Sequence, residues 1–503
     1  MRRSAPCAIL LSLAAAAAPA CAAPPVTQPA GPSAVPSVAD YRARIAAIDD
    51  AGPMINAVIA LNPDAEAQEA VARKVQGPLA GRAVLVKDNI ETRDAMATTA
   101  GSLALEDNVT GRDAPLVARL RASGVVILGK TNLSEWANIR SDHSVSGWSA
   151  VGGQTRNPHA LDRSPCGSSS GSGAAVAAGL AWAAIGTETD GSVTCPASIA
   201  GIVGFKPTVG LVSRTHVVPI SHSQDTPGPM TTSVRDAAML LTAMAGSDPA
   251  DSATAAADAH KADFAGGLDA ASLKGRRIGV LRRQAGSNAR VLALFDGALA
   301  DLARAGAELV EIDFKPDEAM YRDEFTVLLT ELRSDLGAYL AGLPGKPPVR
   351  SLADLIAFNA AHRDSELRWF GQDTFELAEK STDRAAYEKA RANSLRLAGV
   401  EGIDKLLRDN RVELLVAPTE GPAWPIDMVT ESHGLSGIGA GSLAAIAGYP
   451  HLTVPMGAVE GLPVGLSLIG AAWDDKRVLE AGAAYERTRT APLAAPSFRR
   501  WGE

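Results

Sequence analysis

The stretch Ala83-Val84-Leu85-Val86-Lys87 is apolar over its first four residues and then ends on a lysine. A run without polar alternation is typical of a strand that is buried on both faces of a sheet. Six further short runs rich in apolar or β-branched residues follow, at residues 125–128, 277–281, 308–312, 414–416, 452–454 and 464–468. These runs predict a large sheet that is covered on both sides.

Helical patterns separate the predicted strands, at residues 38–48, 115–122, 173–183, 288–305, 386–397 and 476–487. Strands that alternate with helices favour parallel pairing. We therefore expect the α/β class, with three α/β/α layers around a large mixed, mostly parallel central sheet flanked by helices. A single domain is predicted over residues 37–495.

Two stretches depart from this alternation. Residues 246–274 are rich in Asp, Ala and Ser, which indicates a surface connection between two halves of the chain. Residues 316–407 are charged and mostly helical in pattern, with a turn-rich segment at residues 342–348. We interpret the second stretch as a helical cap laid on the sheet, where it would help to shape specificity.

The N-terminus has the pattern of an export signal, with two arginines, an apolar stretch at residues 8–18 and small residues at 20–22. We predict a signal peptide over residues 1–22 and a flexible linker over residues 23–36. Cleavage after Ala22 is favoured, whereas cleavage before Cys21 would leave a lipid-anchored protein. Export to the periplasm or the extracellular space is expected in either case.

Composition restricts the partners that we expect. The 503-residue chain has a net charge of −8 and no block of Lys and Arg, so nucleic acid is not expected to bind. No later stretch reaches 18 unbroken apolar residues, so no transmembrane segment is predicted after the signal. Outside the signal region the cysteines are Cys166 and Cys195, which have no zinc-binding spacing. No metal site is predicted, and the sequence leaves open whether these two cysteines pair.

The most unusual segment is PCGSSSGSG at residues 165–173, which is followed by GTETDGS at residues 186–192. An isolated Gly/Ser tract is usually a linker. This one leads into an apolar helical pattern and a second glycine turn, which favours a buried position. A serine on a tight glycine turn exposes its hydroxyl while nearby backbone N–H groups face the developing oxyanion. The phosphate-loop pattern does not occur here.

A nucleophilic serine needs a base. The eight histidines stand singly, outside any Gly-x-Ser-x-Gly or His-Glu-x-x-His pattern. Lys87 lies at the carboxyl end of a predicted buried strand, where α/β proteins place their sites, and burial can lower the pKa of a lysine enough to make it a base. From the strand alone, the favoured interpretation of Lys87 is an ordinary strand-end charge.

Four segments together resemble the amidase signature family, namely residues 81–89 (GRAVLVKDN), 167–173 (GSSSGSG), 186–192 (GTETDGS) and 204–208 (GFKPT). The resemblance extends more weakly over residues 38–487. It implies an amidase-type fold and hydrolysis or transfer of amides by a Lys-Ser-Ser triad. By position, Lys87 is then the base, Ser168 the bridging serine after a cis peptide, and Ser192 the nucleophile.

The implied mechanism passes protons through the two serines. Neutral Lys87 takes a proton from Ser168, Ser168 takes one from Ser192, and Ser192 forms an acyl-enzyme that water hydrolyses after ammonia leaves. The oxyanion would be held by the backbone N–H groups of Thr189, Asp190, Gly191 and Ser192. An inward-facing Asp190 carboxylate would repel the oxyanion, so we expect it to turn away. No cofactor is expected.

Within the family, the chain is most similar to the bacterial peptide amidases, through residues 129–136 (GKTNLSEW), 187–192 (TETDGS) and 224–230 (QDTPGPM). This similarity implies that the substrate is the C-terminal amide of a peptide. Small, aryl or fatty-acid amides are the alternatives. Many relatives carry Asp where this chain has Glu188 and Gly where it has Asp190.

Two rival functions follow from the same residues. An amidotransferase component would pass ammonia to a partner, but an export signal argues against transfer onto charged tRNA. A secreted binding protein on an amidase scaffold would lack catalysis, and the intact Lys87, Ser168 and Ser192 argue against that. The family-matched residues Asn132, Glu135, Lys206 and Asp225 are expected to be structural. The sequence gives no indication of the oligomeric state.

Overall fold

A computed structural model describes residues 35–430 and 434–503. The predicted signal peptide and almost all of the predicted linker lie outside these residues. The described strands are β1 Val58–Leu61, β2 Ala83–Lys87, β3 Val126–Thr131, β4 Trp148–Ser149, β5 Gly153–Gln154, β6 Ala183–Glu188, β7 Val203–Lys206, β8 Thr226–Thr231, β9 Arg277–Val280, β10 Glu308–Glu311, β11 Leu414–Pro418, β12 His451–Val459 and β13 Leu462–Ile469.

The α-helices are α1 Val38–Ile48, α2 Ala65–Ala72, α3 Pro115–Ala122, α4 Ser170–Ala177, α5 Thr194–Ile199, α6 Val234–Met244, α7 Ala257–His260, α8 Ala289–Arg304, α9 Glu318–Ala341, α10 Leu352–Ala361, α11 Arg363–Glu366, α12 Asp373–Lys380, α13 Arg384–Leu395, α14 Asp404–Asn410, α15 Gly441–Ala447 and α16 Asp475–Thr488. The start of α1 is fixed by its sequence, since Ser37 and Asp40 form a reciprocal capping box. None of the helices described here is both long and apolar enough to cross a membrane.

Eleven strands form one mixed sheet in the order β1-β3-β2-β6-β8-β7-β12-β13-β11-β9-β10, with helices on both sides. The predicted fold class is confirmed, but the expectation of mostly parallel strands is wrong. Only β2–β3, β2–β6, β9–β11 and β9–β10 pair in parallel, and the six pairs in the middle and at the β1 edge are antiparallel. Apolar runs look the same in either direction once helices cover both faces, so the runs alone could not show the pairing.

The sheet is buried on both faces. In β2, Val84 and Val86 join one apolar cluster, whereas Ala83 and Leu85 join a second cluster on the opposite face. Alternate side chains of a strand point to opposite faces, so both sides of β2 are packed. Lys87 follows in the same alternation as Ala83 and Leu85, and its side chain therefore leaves the sheet on the face that α4 covers.

The helix predicted at residues 173–183 is wrong in its extent. The chain instead forms α4 earlier, over Ser170–Ala177, and then the strand β6 over Ala183–Glu188. The segment is dominated by Ala and Gly, which carry little strand preference, and so its pattern cannot be distinguished from that of a longer helix. The strand places Thr187 and Glu188 directly before the glycine turn of residues 189–192.

A mostly helical region, which we call the cap region, extends over residues 318–410 and contains α9 to α14. Leu332 and Leu336 of α9 and Phe375 of α12 pack in one cluster with Leu105 and Trp136 of the remaining fold. Residues 246–274 contain short helical turns at Ser252–Ala256, Ala257–His260 and Leu268–Ala270.

Candidate active site

Lys87 is the last residue of β2 and is completely buried. Its Nζ lies 2.7 Å from Ser168 Oγ, 2.9 Å from Thr187 Oγ1 and 3.3 Å from Thr187 O. Among the residues described, the hydrogen-bond partners of this nitrogen are these hydroxyl and carbonyl oxygens. A lysine with hydroxyl and carbonyl partners only is poorly compensated as a cation.

Burial is the largest influence on this amine and lowers the pKa of Lys87 to about 7, while the negative charges of Asp225 and Glu188 act in the raising direction. The contacts suit the neutral form. Lys87 Nζ donates to Thr187 O, Thr187 Oγ1 and Ser168 Oγ. When the amine is neutral, its two N–H bonds can serve Thr187 while its lone pair accepts from the Ser168 hydroxyl. The geometry therefore places the Lys87 amine within hydrogen-bond distance of a serine hydroxyl.

The Gly/Ser tract is buried in the interior, and it is not a linker. The peptide bond between Gly167 and Ser168 is cis. Gly171 lies so close to neighbouring backbone that an added Cβ would come within 2.3 Å of Ala57 O and 2.5 Å of Asn132 O. This close approach requires glycine and locks the start of α4 beside β3.

The turn of residues 189–192 follows β6 directly, and Gly191 has a φ of +77°, which favours glycine. The Glu188 carboxylate accepts from the N–H groups of Val193 and Thr194, at 2.8 and 2.9 Å, and so caps the start of α5. Over residues 35–430 and 434–503, the N–H groups of residues 189–192 donate to no protein acceptor. Four adjacent free donors at a helix start are an arrangement suited to an oxyanion.

Ser192 is tied to the Gly/Ser tract through the backbone, since Ser169 N donates to Ser192 O at 3.1 Å. A disulfide between Cys166 and Cys195, with Cα atoms 6.1 Å apart, joins the same two segments. The pairing that the sequence left open is thus present. No hydrogen bond joins Ser192 Oγ to Ser168 Oγ in the part of the chain that the structure describes.

Asp190 interacts with Ser442 and Glu324, and burial raises its pKa to about 6. Its neighbour Thr189 is fixed by a 2.6 Å hydrogen bond from its Oγ1 to Asp225. Asp225 also accepts from the N–H groups of Ile220 and Ser221, at 2.8 and 2.9 Å. The carboxylate of Asp225 therefore holds the start of the turn in place.

Sequence reasoning missed two groups that contact or support the lysine site. Thr187 receives hydrogen bonds from Lys87 and from Asn89 Nδ2, the latter at 2.9 Å. Glu188 stands out in the sequence only as a departure from many relatives, although it caps α5. Their position in the sequence is the signal that could have identified them, because both residues come just before the glycine turn of residues 189–192.

Asn132 and Glu135 have the structural roles that we expected. Asn132 Oδ1 accepts from Leu133 N and Ser149 Oγ, at 2.9 and 2.7 Å, and its Nδ2 donates to Gly153 O at 3.0 Å. Glu135 pairs with the buried Arg140. Both residues position loops around the site.

A group suited to a metal ion lies apart from this site, at the surface. His222, Glu331 and Asp335 present ligand atoms within 4.8 Å of one another. Asp335 accepts from the backbone N–H and the ring Nδ1 of His222, each at 2.8 Å, and Glu331 accepts from Ser223 Oγ at 2.5 Å. These hydrogen bonds explain the cluster without an ion.

The layered fold and the buried lysine–serine pair define an amide-hydrolysing enzyme with a site of the Ser-Ser-Lys type. A family model described as Amidase matches residues 38–479. The chain belongs to the amidase signature family.

Known relatives agree with this membership. The solved structure of native peptide amidase from Stenotrophomonas maltophilia superposes with a TM-score of 0.86 at 50% sequence identity, covering 92% of this chain and 94% of that one. The solved structure of an amidase family protein from Bacillus anthracis superposes with a TM-score of 0.82 at 33% identity, covering 91% and 88%. A probable amidase of Arabidopsis thaliana is 39% identical, covering 88% of this chain and 84% of the relative.

Proposed function

We propose that this amidase is a secreted serine amidohydrolase that cleaves the C-terminal carboxamide of peptides and releases ammonia. In this proposal Lys87 is the base, Ser168 the bridging serine and Ser192 the nucleophile. The observation that carries the proposal is the 2.7 Å contact between Lys87 Nζ and Ser168 Oγ in a fully buried site. The free N–H groups of residues 189–192 belong to the turn that is hydrogen-bonded to the Gly/Ser tract.

The proton path begins at the lysine. Neutral Lys87 removes the Ser168 proton, and the Ser168 oxygen in turn accepts the proton of Ser192 as Ser192 Oγ forms its bond to the carbonyl carbon. Substrate binding is required to bring the two hydroxyls into line, because catalytic hydrogen bonds often close only in the substrate complex. The Lys87 amine leaves this step as an ammonium.

The carbonyl oxygen becomes an oxyanion that the N–H groups of Thr189, Asp190, Gly191 and Ser192 stabilise. When the C–N bond breaks, the proton held on Lys87 returns through Ser168 to the departing nitrogen, which leaves as ammonia. Water then adds to the Ser192 ester with the help of the same relay, and the carboxylic acid is released.

Two observations support the finer parts of the proposal. The 50% identical relative from Stenotrophomonas maltophilia is a peptide amidase, which favours peptide amides over aryl or long-chain amides. The signal-like N-terminus favours export, and a disulfide such as Cys166–Cys195 is characteristic of proteins in oxidising compartments.

The substrate class is tested by ammonia release from purified enzyme across peptide amides, benzamide-like amides and long-chain acyl amides. We expect the highest kcat/KM on peptide amides, with a peptide acid as the second product. Ser192→Ala should release no ammonia. Its control is Ser198→Ala, since this serine lies on α5 and, among the described residues, its hydroxyl accepts a structural hydrogen bond from Gly465 N. Preference for aryl or long-chain amides would refute the peptide assignment and leave the amidase chemistry intact.

A further inference from the structure

A cavity lies beside the turn of residues 189–192. Its volume is about 250 Å³, and Asp190 and Gly191 are among the residues that line it. Ligand sites for drug-sized molecules usually exceed about 300 Å³, so this space suits one side chain rather than a whole peptide. We call it the acidic pocket and define it by Asp190, Tyr321, Glu420, Ser442 and His451.

Carboxyl groups dominate the charge of the acidic pocket. Asp190 interacts with Glu324 of α9, whose pKa is raised well above its usual range by burial and by the charge of Asp190. The raised pKa favours the protonated form of Glu324, whose Oε1 accepts from Gln224 Nε2 at 2.8 Å. Glu420 adds a third carboxyl, and its one hydrogen-bond donor among the described residues is Gly421 N at 2.7 Å.

His451 gives a second reason to expect a ligand that donates hydrogen bonds, separate from the carboxyl groups. It lines the pocket and is 1% exposed. Its Nε2 lies 2.6 Å from Ser467 Oγ, and Ser467 donates its own proton to Thr419 at 2.9 Å. His451 must therefore donate through Nε2, because burial lowers its pKa to about 3 and keeps the ring neutral. Its Nδ1 is then a bare acceptor, and it has no donor within the described chain.

No lysine or arginine of the described residues lines this pocket. Lys206, whose charge acts on Asp190, is completely buried and donates to Pro207 O at 3.1 Å. Burial raises the pKa of Glu420 to about 7, as expected for a carboxyl that has no cation beside it. Within residues 35–430 and 434–503, the lining of the pocket thus offers acceptors beside the turn of residues 189–192 and contains no lysine or arginine.

We infer that the acidic pocket binds a cationic side chain of the substrate residue that carries the scissile carboxamide. The preferred substrates are then amides of lysine-like residues, with the substrate ammonium beside Glu420 and Asp190. This inference rests on the proposed function, because it assigns the substrate class of the same site.

The test compares N-acylated glycyl-lysinamide with N-acylated glycyl-norleucinamide, which has the same chain without the charge. Wild-type enzyme is expected to show a kcat/KM ratio of about 30 or more in favour of the lysine amide, since pairing a buried charge is worth that much. In Glu420→Gln the ratio should fall toward 1. Glu413→Gln, at an exposed carboxylate paired with Arg276, should keep the wild-type ratio.

A second measurement needs no variant. Butylammonium should inhibit norleucinamide hydrolysis competitively at concentrations at which 1-butanol does not. Equal kcat/KM for both amides, an unchanged ratio in a folded Glu420→Gln variant, or equal inhibition by the two probes would overturn the inference. Hydrolysis of neither amide by wild type would instead refute the proposed function, so the two failures are distinguishable.

Discussion

In the proposed mechanism the base is Lys87, whose amine contacts only hydroxyl and carbonyl oxygens among the described residues. Lys87 is surrounded by hydroxyl and carbonyl oxygens in a completely buried position. A charged amine there would lose its hydration without gaining an ion pair, so the neutral form is favoured. Burial thus suits Lys87 to its proposed role as the base.

The pH profile reports this amine directly. Because burial lowers the pKa of Lys87 to about 7 and only the neutral amine is a base, activity must be lost as the pH falls below that value. We expect kcat/KM for a neutral peptide amide to fall about tenfold per pH unit below pH 7 and to level off above it. Initial rates between pH 5 and 9 measure this midpoint.

A charge variant tests the origin of the midpoint. Asp225 raises the pKa of Lys87, so Asp225→Asn should move the midpoint to lower pH. Asp313→Asn, at an exposed carboxylate paired with Arg283, should leave it unchanged. A flat profile, or a midpoint that does not respond to Asp225→Asn, would contradict the assignment of the base.

At the scale of residues, the sequence was sufficient to identify Lys87 and Ser168 but not the side chains that contact them. Lys87 and Ser168 lie in recognisable motifs, and the structure brings them into hydrogen-bond contact. The contacts of Thr187 with Lys87 and Asn89 join positions about a hundred residues apart in the chain. No local pattern encodes such a pair.

At the scale of elements, the site is the junction of a strand, a turn and a helix. Glu188 is the last residue of β6, and the turn after it contains the four free N–H groups. The helix α5 begins at Thr194, whose N–H donates to the Glu188 carboxylate. The helix start thereby fixes the direction of the donors. The sequence predicted the turn. It did not predict β6, because the Ala-rich stretch before the turn has the same pattern as a helix.

Glu188→Gln tests the cap. The amide cannot accept from two backbone N–H groups as well as the carboxylate does, so stability should fall by about 1–2 kcal/mol. The misplaced turn should lower kcat more than it changes KM, as judged by denaturant unfolding and steady-state kinetics. Glu388→Gln, at an exposed pair with Arg384, is the control. Unchanged stability and kcat in Glu188→Gln would contradict this role.

The disulfide joins the Gly/Ser tract to α5 across a sequence separation of 29 residues. Constraining a loop of that length in the unfolded chain contributes about 3–4 kcal/mol. The double variant Cys166→Ser/Cys195→Ser should therefore unfold at lower denaturant concentration. Dithiothreitol should shift wild type to the same midpoint, and a wild-type midpoint that is insensitive to dithiothreitol would show that the bond is absent.

At the scale of the whole molecule, a buried ion-pair cluster fastens the cap region to the remaining fold. Arg140 contacts Glu135 and also lies 3.5 Å from Glu366 in the cap region, and all three side chains are completely buried. Its guanidinium stacks over Phe370, 4.2 Å from the ring centre. Glu366 in turn accepts from Leu103 N at 2.7 Å.

Arg140→Met would leave two buried carboxylates without their cation. Loss of one partner from such a cluster costs about 3–5 kcal/mol, so we expect a large fall in the unfolding midpoint and faster proteolysis within residues 318–410. Arg384→Met removes an exposed arginine and should change stability by less than about 0.5 kcal/mol. Equal stability of the two variants would contradict the anchoring role.

The overall layering was predictable because apolar runs and helical patterns directly reflect burial. The direction of the strands was not predictable. For example, β12 and β13 form an antiparallel hairpin through residues 459–462, but their sequences have the same apolar pattern as the parallel strands. Long-range clusters such as Arg140 with Glu366 were also beyond local patterns, as the two residues are far apart in the chain.

The central claim is a covalent acyl-enzyme at Ser192, and acid quenching during turnover of an activated peptide ester tests it most directly. Peptide mapping by mass spectrometry should find the acyl mass on the peptide that contains Ser192, and Ser192→Ala should lose both the adduct and ammonia release from peptide amides. An adduct on another residue, or wild-type turnover by Ser192→Ala, would contradict the account.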